Sequence, residues 1–337
     1  MKLSRIVPFA LLVSSFAVTP VLAQSSPGLK RITVASAVRV RSGPNTTSAV
    51  LDTLSIGVLL DEKGRSDRPE KVGEQQDYWY RVTLPNHKEG WVFGGLTQAV
   101  DPAMVDDAYV RIAFDRLSRT DLGFNDLADA VAFLGRASGA AESREAKGRL
   151  ELAHLQMVEK AAAAIPYDQR GQAPYKAWIA QMERSTMRLD EIQGAYLVND
   201  ELFWKIAEKY ADTKAGDDLA WAAAEAPLGG ECEGDVSCNI MAFNRTRGRY
   251  LAAWPDGKHA AEAVRDFVTY LEESVESLKR EPVDYSTGPD AAEFAADYRR
   301  TLTETRATLK KTGVAGRDRA LALLDEVEKL SLKNPER

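Results

Sequence analysis

Apolar residues are spaced in two ways along this chain, and the change from one to the other divides it. In residues 32–98 they come in short runs of β-branched, aliphatic and aromatic side chains, at 32–34, 38–40, 50–54, 58–60, 78–84 and 90–93. The runs are punctuated by Ser42-Gly43-Pro44-Asn45, by Ile56-Gly57 and by the turn from Pro85 to Gly90. Close strands with Gly, Pro and Asn between them predict a small barrel or sandwich. Val38 and Val40 are expected to point inward, one residue apart in register. Between Gly64 and Asp77 the chain is charged and nearly devoid of apolar residues, so that stretch is read as a solvated loop.

From Asp101-Pro102 onward the period lengthens. Met104, Val105, Tyr109, Ile112 and Ala113 share one helical face, as do Leu152, Leu155, Val158, Ala162 and Ile165. Leu202, Phe203, Ile206, Ala207 and Tyr210 repeat the pattern behind a cap at Asn199 or Asp200. Ala260, Ala263, Val264, Phe267, Leu271 and Leu278 form another face, and Ala320, Leu323, Leu324, Val327 and Leu330 a last one. About eight to ten helices are expected, with breaks near Pro166, Pro174, Gly229-Gly230, Pro255, Pro282, Gly288-Pro289 and Gly313.

The predicted fold class is therefore α+β multidomain: a polar leader at 24–31, a small β-barrel at 32–100 and an all-α region at 101–337. The change of period at the boundary predicts separable cores, with 28–100 and 101–337 each folding alone. Tyr210-Ala211-Asp212-Thr213-Lys214-Ala215 aligns with Trp254-Pro255-Asp256-Gly257-Lys258-His259 at an offset of 44 residues. In each, an aromatic closes one helix, an Asp-containing turn follows, and small residues open the next. That is the construction of a helical-hairpin repeat, and the segment around 200–280 resembles a tetratricopeptide-type hairpin.

Residues 1–23 have the pattern of a cleaved export signal. Lys2 and Arg5 give a positive start, 8–18 is mostly apolar, and Pro20 precedes Val21-Leu22-Ala23. Cleavage after Ala23 leaves Gln24 at the new N-terminus. The run is too short and too interrupted for a membrane span, and no other stretch is long enough. Removing Lys2 and Arg5 moves the formal charge from −6 to −8. An acidic chain lacks the basic footprint of a nucleic-acid binder and adheres poorly to anionic lipid. In a periplasmic or secreted protein the two cysteines, Cys232 and Cys238, are expected to form a disulfide. With no His beside them they make an incomplete zinc set. Glu231, Glu233 and Asp235 around Gly234 lack the calcium-loop spacing. No cofactor or metal is expected.

Val38, Val40, Arg41, Ser42, Gly43 and Pro44, then Leu54 and Gly57, then Trp79 and Val82, and finally Gly90, Trp91, Val92 and Leu96, fall in the order of the bacterial SH3 domain, which this region resembles. The resemblance implies a small barrel that tethers proteins to peptidoglycan or binds peptides. The long charged stretch from Gly64 to Asp77 departs from the pattern.

Candidate binding residues are the aromatic cluster Tyr78, Trp79, Tyr80, Trp91 and Phe93, whose faces suit sugar rings or extended peptides. By period two, Trp79 faces away from Tyr80 and Val82, so it is expected to be the exposed anchor, removable without loss of stability. His87, His154 and His259 have no neighbouring nucleophile or thiol and are read as solvated. No catalytic residue is identified. The expected function is a non-enzymatic exported scaffold: the barrel binds cell-wall material or peptide, and the helices bind other envelope proteins. One alternative is a periplasmic chaperone or assembly factor working through the helical groove. The other is a cell-wall enzyme, which needs a carboxylate pair or a nucleophile and base in a cleft.

Overall fold

The computed structural model describes residues 28–287 and 290–332. The expected export signal, the expected cleavage between Ala23 and Gln24, and the expected break at Gly288-Pro289 lie outside the described residues. A β-rich region is followed by helices, the α+β layout expected from the two periods.

Nine strands build the first region: β1 (Lys30–Thr33), β2 (Val38–Arg41), β3 (Val50–Leu54), β4 (Leu59–Arg65), β5 (Glu70–Val72), β6 (Gln75–Asp77), β7 (Trp79–Thr83), β8 (Glu89–Phe93) and β9 (Thr97–Val100). Seven of them form one antiparallel sheet in the order β3-β2-β8-β7-β4-β1-β9, and β5 and β6 make a separate hairpin. Val38, Val40, Leu60, Val82 and Val92 fill the space inside, each at most 1% exposed. The expected inward pair, Val38 and Val40, is in place. The expected loop from Gly64 to Asp77 is not a loop: β4 runs on to Arg65, and Glu70 to Asp77 is the β5–β6 hairpin.

The helices are α1 (Val105–Ser118), α2 (Phe124–Ala140), α3 (Arg144–Ala163), α4 (Tyr175–Met182), α5 (Asp200–Lys209), α6 (Gly216–Ala224), α7 (Val236–Arg245), α8 (Arg247–Ala253), α9 (Ala260–Arg280), α10 (Ala291–Leu309) and α11 (Arg317–Ser331). Every predicted break inside the described residues falls between two of them. The predicted faces are buried, with Val105, Leu202 and Leu330 partly so, except that Met104 is exposed. Asn199 is the cap of α5, accepting from the Glu201 amide at 3.1 Å. None of the described helices is long and apolar enough to cross a membrane.

The two aligned turns adopt the same hydrogen bonds at the same offset. Thr213 N–H donates to Tyr210 O and Gly216 N–H to Thr213 O, both at 3.0 Å. Gly257 N–H donates to Trp254 O and Ala260 N–H to Gly257 O, both at 3.1 Å. The hairpins α5–α6 and α8–α9 are tied together by Tyr250, whose hydroxyl donates to Asp217 at 2.6 Å, and by the Lys258 amide on the same carboxylate at 2.8 Å.

Cys232 and Cys238 are joined by a disulfide. Asp235 between them caps α7, accepting from the Cys238 amide at 2.7 Å, and takes the Tyr285 hydroxyl at 2.6 Å. Its carboxylate thus serves helix and packing. Denatured, unreduced protein is expected to show zero free thiols. Cys232→Ser is expected to loosen the 229–240 loop at a cost of about 2 kcal/mol while helical circular dichroism persists. Two free thiols on native protein would remove the bond from the fold.

A second hairpin lies within the helical region, β10 (Met187–Asp190) and β11 (Ala195–Val198), which the sequence pattern did not announce. It rests on α3, where Glu159 lies largely buried beneath it. One Glu159 carboxylate oxygen has no partner and the Val198 amide serves the carboxylate. Burial, only partly offset by that amide, pushes the carboxyl from its ordinary 4.5 up to about 7. Between these pH values the folded chain holds a proton that the unfolded chain has released. This group's contribution to stability is therefore full below about pH 4.5 and is lost as pH rises to about 7, on the order of 3 kcal/mol in all. Glu159→Gln is expected to flatten that slope in urea melts; an unchanged slope would assign the titration to another group.

The barrel and the first helices share a seam. Ile32, Ile56 and Val100 belong to the same buried cluster as Tyr109, Ile112 and Phe133. The Ile56 amide donates to the Asp129 carboxylate at 3.1 Å, and the Arg116 guanidinium donates to Val34 O.

Candidate functional site

The strand register places four of the five candidate aromatics on two faces. Across β7 and β8, Trp79 lies opposite Phe93, Tyr80 opposite Val92, Arg81 opposite Trp91, and Val82 opposite Gly90. Since Val82 and Val92 are core residues, Tyr80 is on the inner side, and Trp79, Arg81, Trp91 and Phe93 are on the outer side. Trp79 does face away from Tyr80 and Val82, as expected.

Trp79 is nevertheless not exposed, and the expectation that it is the accessible anchor is corrected here. It is 3% exposed, as is Phe93. Their rings pack at 5.5 Å between centroids, tilted by 60°. The β5–β6 hairpin folds over them. The Trp79 indole N–H donates to the Glu70 carboxylate, and the Trp79 amide to Ser66 Oγ at 3.1 Å. Gly94 and Gly95, just beyond Phe93, lie so close to Asp77 and Gln75 that a Cβ on either would collide with those side chains. Covered this way, the pair is a second small core.

Tyr78 and Tyr80 are each occupied by a guanidinium. Arg65 lies 4.2 Å above the Tyr78 ring, and Arg31 lies 3.4 Å above that of Tyr80. Arg31 is itself held by Glu62 at 3.1 Å and Thr97 Oγ1 at 2.8 Å. These contacts fix the strands and leave neither ring face free on the arginine side.

Trp91 is different. It is half-buried, and its cross-strand neighbours on the outer face are Arg41 of β2 and Arg81 of β7. Arg81 pairs with Glu89 at 2.6 Å, and Arg41 donates to Ser48 O at 2.7 Å, so the side chains on both strands that flank Trp91 are held in place. Arg39, on the same side of β2, is exposed. An apolar ring between fixed cations offers stacking for a flat or cyclic ligand and charge for an anionic one. The placement of Arg41 and Arg81 beside Trp91 escaped the sequence reading; for Arg41 the signal was present in the alternation Val38-Arg39-Val40-Arg41, which puts Arg39 and Arg41 on the face opposite the core.

Two of the three histidines, His154 and His259, differ from their reading. His154 is half-buried, its Nδ1 lying 3.1 Å from Val131 O, and burial lowers the ring's affinity for a proton. His259 stacks on Trp221 at 4.7 Å with the planes 5° apart. His87 is exposed in the turn before β8, with a left-handed backbone. Among the described residues, no group of three or more His, Cys, Asp or Glu side chains is placed to hold a metal ion.

Neither a curated protein nor a solved structure matches this chain. A family model, described as the bacterial SH3 domain, matches residues 36–98. The match runs from just before β2 into β9 and contains Arg41, Arg81 and Trp91. The barrel of this chain is a bacterial SH3 domain.

Proposed function

We propose that this is an exported, non-enzymatic binding protein whose SH3 barrel holds cell-wall material at the outer face of β2, β8 and β7. Trp91 between Arg41 and Arg81 carries the reading. Peptidoglycan offers sugar rings with apolar faces and short peptides with carboxylates, which suit an indole flanked by guanidinium groups. The domain type, the disulfide and the absence of a spanning helix among the described residues fit an extracytoplasmic location. The repeated turns of α5–α6 and α8–α9 support a helical-hairpin array that presents a surface to envelope proteins.

The test is retention of the full chain on purified peptidoglycan sacculi. Trp91→Ala is expected to weaken retention tenfold or more, since a central aromatic typically contributes about 2 kcal/mol. Its melting temperature should stay close to that of the parent, because Trp91 is only half-buried. Unchanged retention by a folded Trp91→Ala protein would move the working surface off the barrel.

A further inference from the structure

A trough of about 380 Å³ opens in the helical region, away from the barrel face. Its floor is α3, and its walls are α2 and α5. Gly135 and Ser138 line it from α2, Glu151, His154 and Leu155 from α3, and Leu202, Lys205, Ile206 and Lys209 from α5. It exists because α2 carries no side chain at position 135. A Cβ built there would meet the His154 ring at 3.7 Å, an ordinary van der Waals contact, so a longer side chain at this position would reach into the trough.

The lining is apolar at Leu155, Leu202 and Ile206 and carries both polar signs. Glu151 accepts from Lys209 at 2.8 and 3.1 Å and from the Tyr210 hydroxyl at 2.8 Å, which fixes the carboxylate in the wall. His154 Nδ1 lies on Val131 O and burial lowers the ring's affinity for a proton, so in the neutral ring that donates there Nε2 is an acceptor. Lys205 is the uncompensated cation. The carboxylates one turn away on α5, Glu201 and Glu208, are both drawn to Arg249, at 2.9 and 3.0 Å, and Arg249 itself lies over the Trp204 ring. Lys205 makes no ion pair among the described residues. A small concave site with an apolar floor, two fixed acceptors and a free ammonium calls for a ligand with an apolar body, a cationic donor and an anion.

We propose that this trough binds a free apolar amino acid of the leucine or phenylalanine type. The side chain lies on Leu155, Leu202 and Ile206, the α-ammonium meets Glu151 and His154 Nε2, and the α-carboxylate meets Lys205. This site is independent of the cell-wall reading of the barrel.

Calorimetric titration of the full chain tests it, with L-leucine and L-phenylalanine as probes and N-acetyl-leucine and leucinamide as controls. One of the two amino acids is expected to bind saturably, and each control, lacking one charge, at least tenfold more weakly. Lys205→Ala is expected to weaken binding roughly tenfold, the loss of one charged hydrogen bond. Gly135→Leu fills the trough on an exposed helix position that favours leucine over glycine. It should abolish binding while the melting temperature holds or rises. The proposal is overturned if neither amino acid saturates below about 10 mM. It is equally overturned if a control binds as tightly as the zwitterion, which a peptide terminus would do, or if folded Gly135→Leu binds unchanged.

Discussion

Replacing Trp79 by alanine is expected to cost about 3–5 kcal/mol of folding stability, the range for truncating a buried aromatic. Three losses combine. The indole leaves a void against Phe93, the Glu70 carboxylate loses its N–H donor, and the β5–β6 hairpin loses the ring it folds over. Trp79→Phe keeps an aromatic ring against Phe93 but removes the donor and part of the indole, so a smaller loss of about 1–3 kcal/mol is expected. Urea denaturation of the three proteins gives the ordering. Retention on sacculi by folded Trp79→Phe should match the parent, because the outer face at Trp91 is untouched. A Trp79→Ala change below about 0.5 kcal/mol, within the usual range of surface substitutions, would mean that the hairpin does not seal this side of the sheet.

The contrast between Trp79 and Trp91 shows how far the chain could be read in advance. Period two assigned Trp79 to the face opposite Val82, and the register agrees. What the pattern could not assign was the cover. Residues 70–77 are Glu-Lys-Val-Gly-Glu-Gln-Gln-Asp, with Val72 the lone apolar residue, so hydrophobic spacing is silent there. That hairpin is held through polar atoms: Glu70 on the indole, and Asp77 and Gln75 beside Gly94 and Gly95. The available sign was Gly73-Glu74, a two-residue turn whose glycine takes φ +60°. The β10–β11 hairpin was missed for a related reason. Its strands are four residues each, and the turn glycine, Gly194 at φ +62°, sits among helix-forming neighbours.

The helical faces were legible because each buries a continuous stripe, as with Leu152, Leu155 and Val158 on α3. His154 on that same helix was misread, since nothing in its local sequence says that α2 crosses above it and offers Val131 O. The trough depended on a missing side chain at Gly135, and a glycine inside a helical pattern signals a reason without naming it.

The seam between barrel and helices sets the other large effect. Gly57 is expected to tolerate no side chain, and Gly57→Ala to cost about 3–5 kcal/mol. Two causes act together. Its φ of +79° lies in the left-handed region that a Cβ disfavours, and the added carbon would overlap the Phe133 ring of α2. The Ser55–Val58 turn cannot retreat without breaking the Ile56 amide to Asp129, at 3.1 Å, and the Thr33 hydroxyl to Ser55 O, at 2.7 Å. Removing the obstacle separates the two causes. Phe133→Ala alone should cost about 3–5 kcal/mol as a buried aromatic. The double variant should then be more stable than the sum of the singles predicts by about 1–3 kcal/mol, because the overlap is gone and only the backbone strain remains. A double-mutant cycle by chemical denaturation measures that difference directly. Strict additivity would mean that Gly57 and Phe133 do not meet in solution and that barrel and helices are joined by the chain alone. In that case fragment 28–100 should be as stable as the barrel within the full protein. With the coupling present, the fragment should unfold at lower denaturant, because Ile32, Ile56 and Val100 lose the helical side of their cluster.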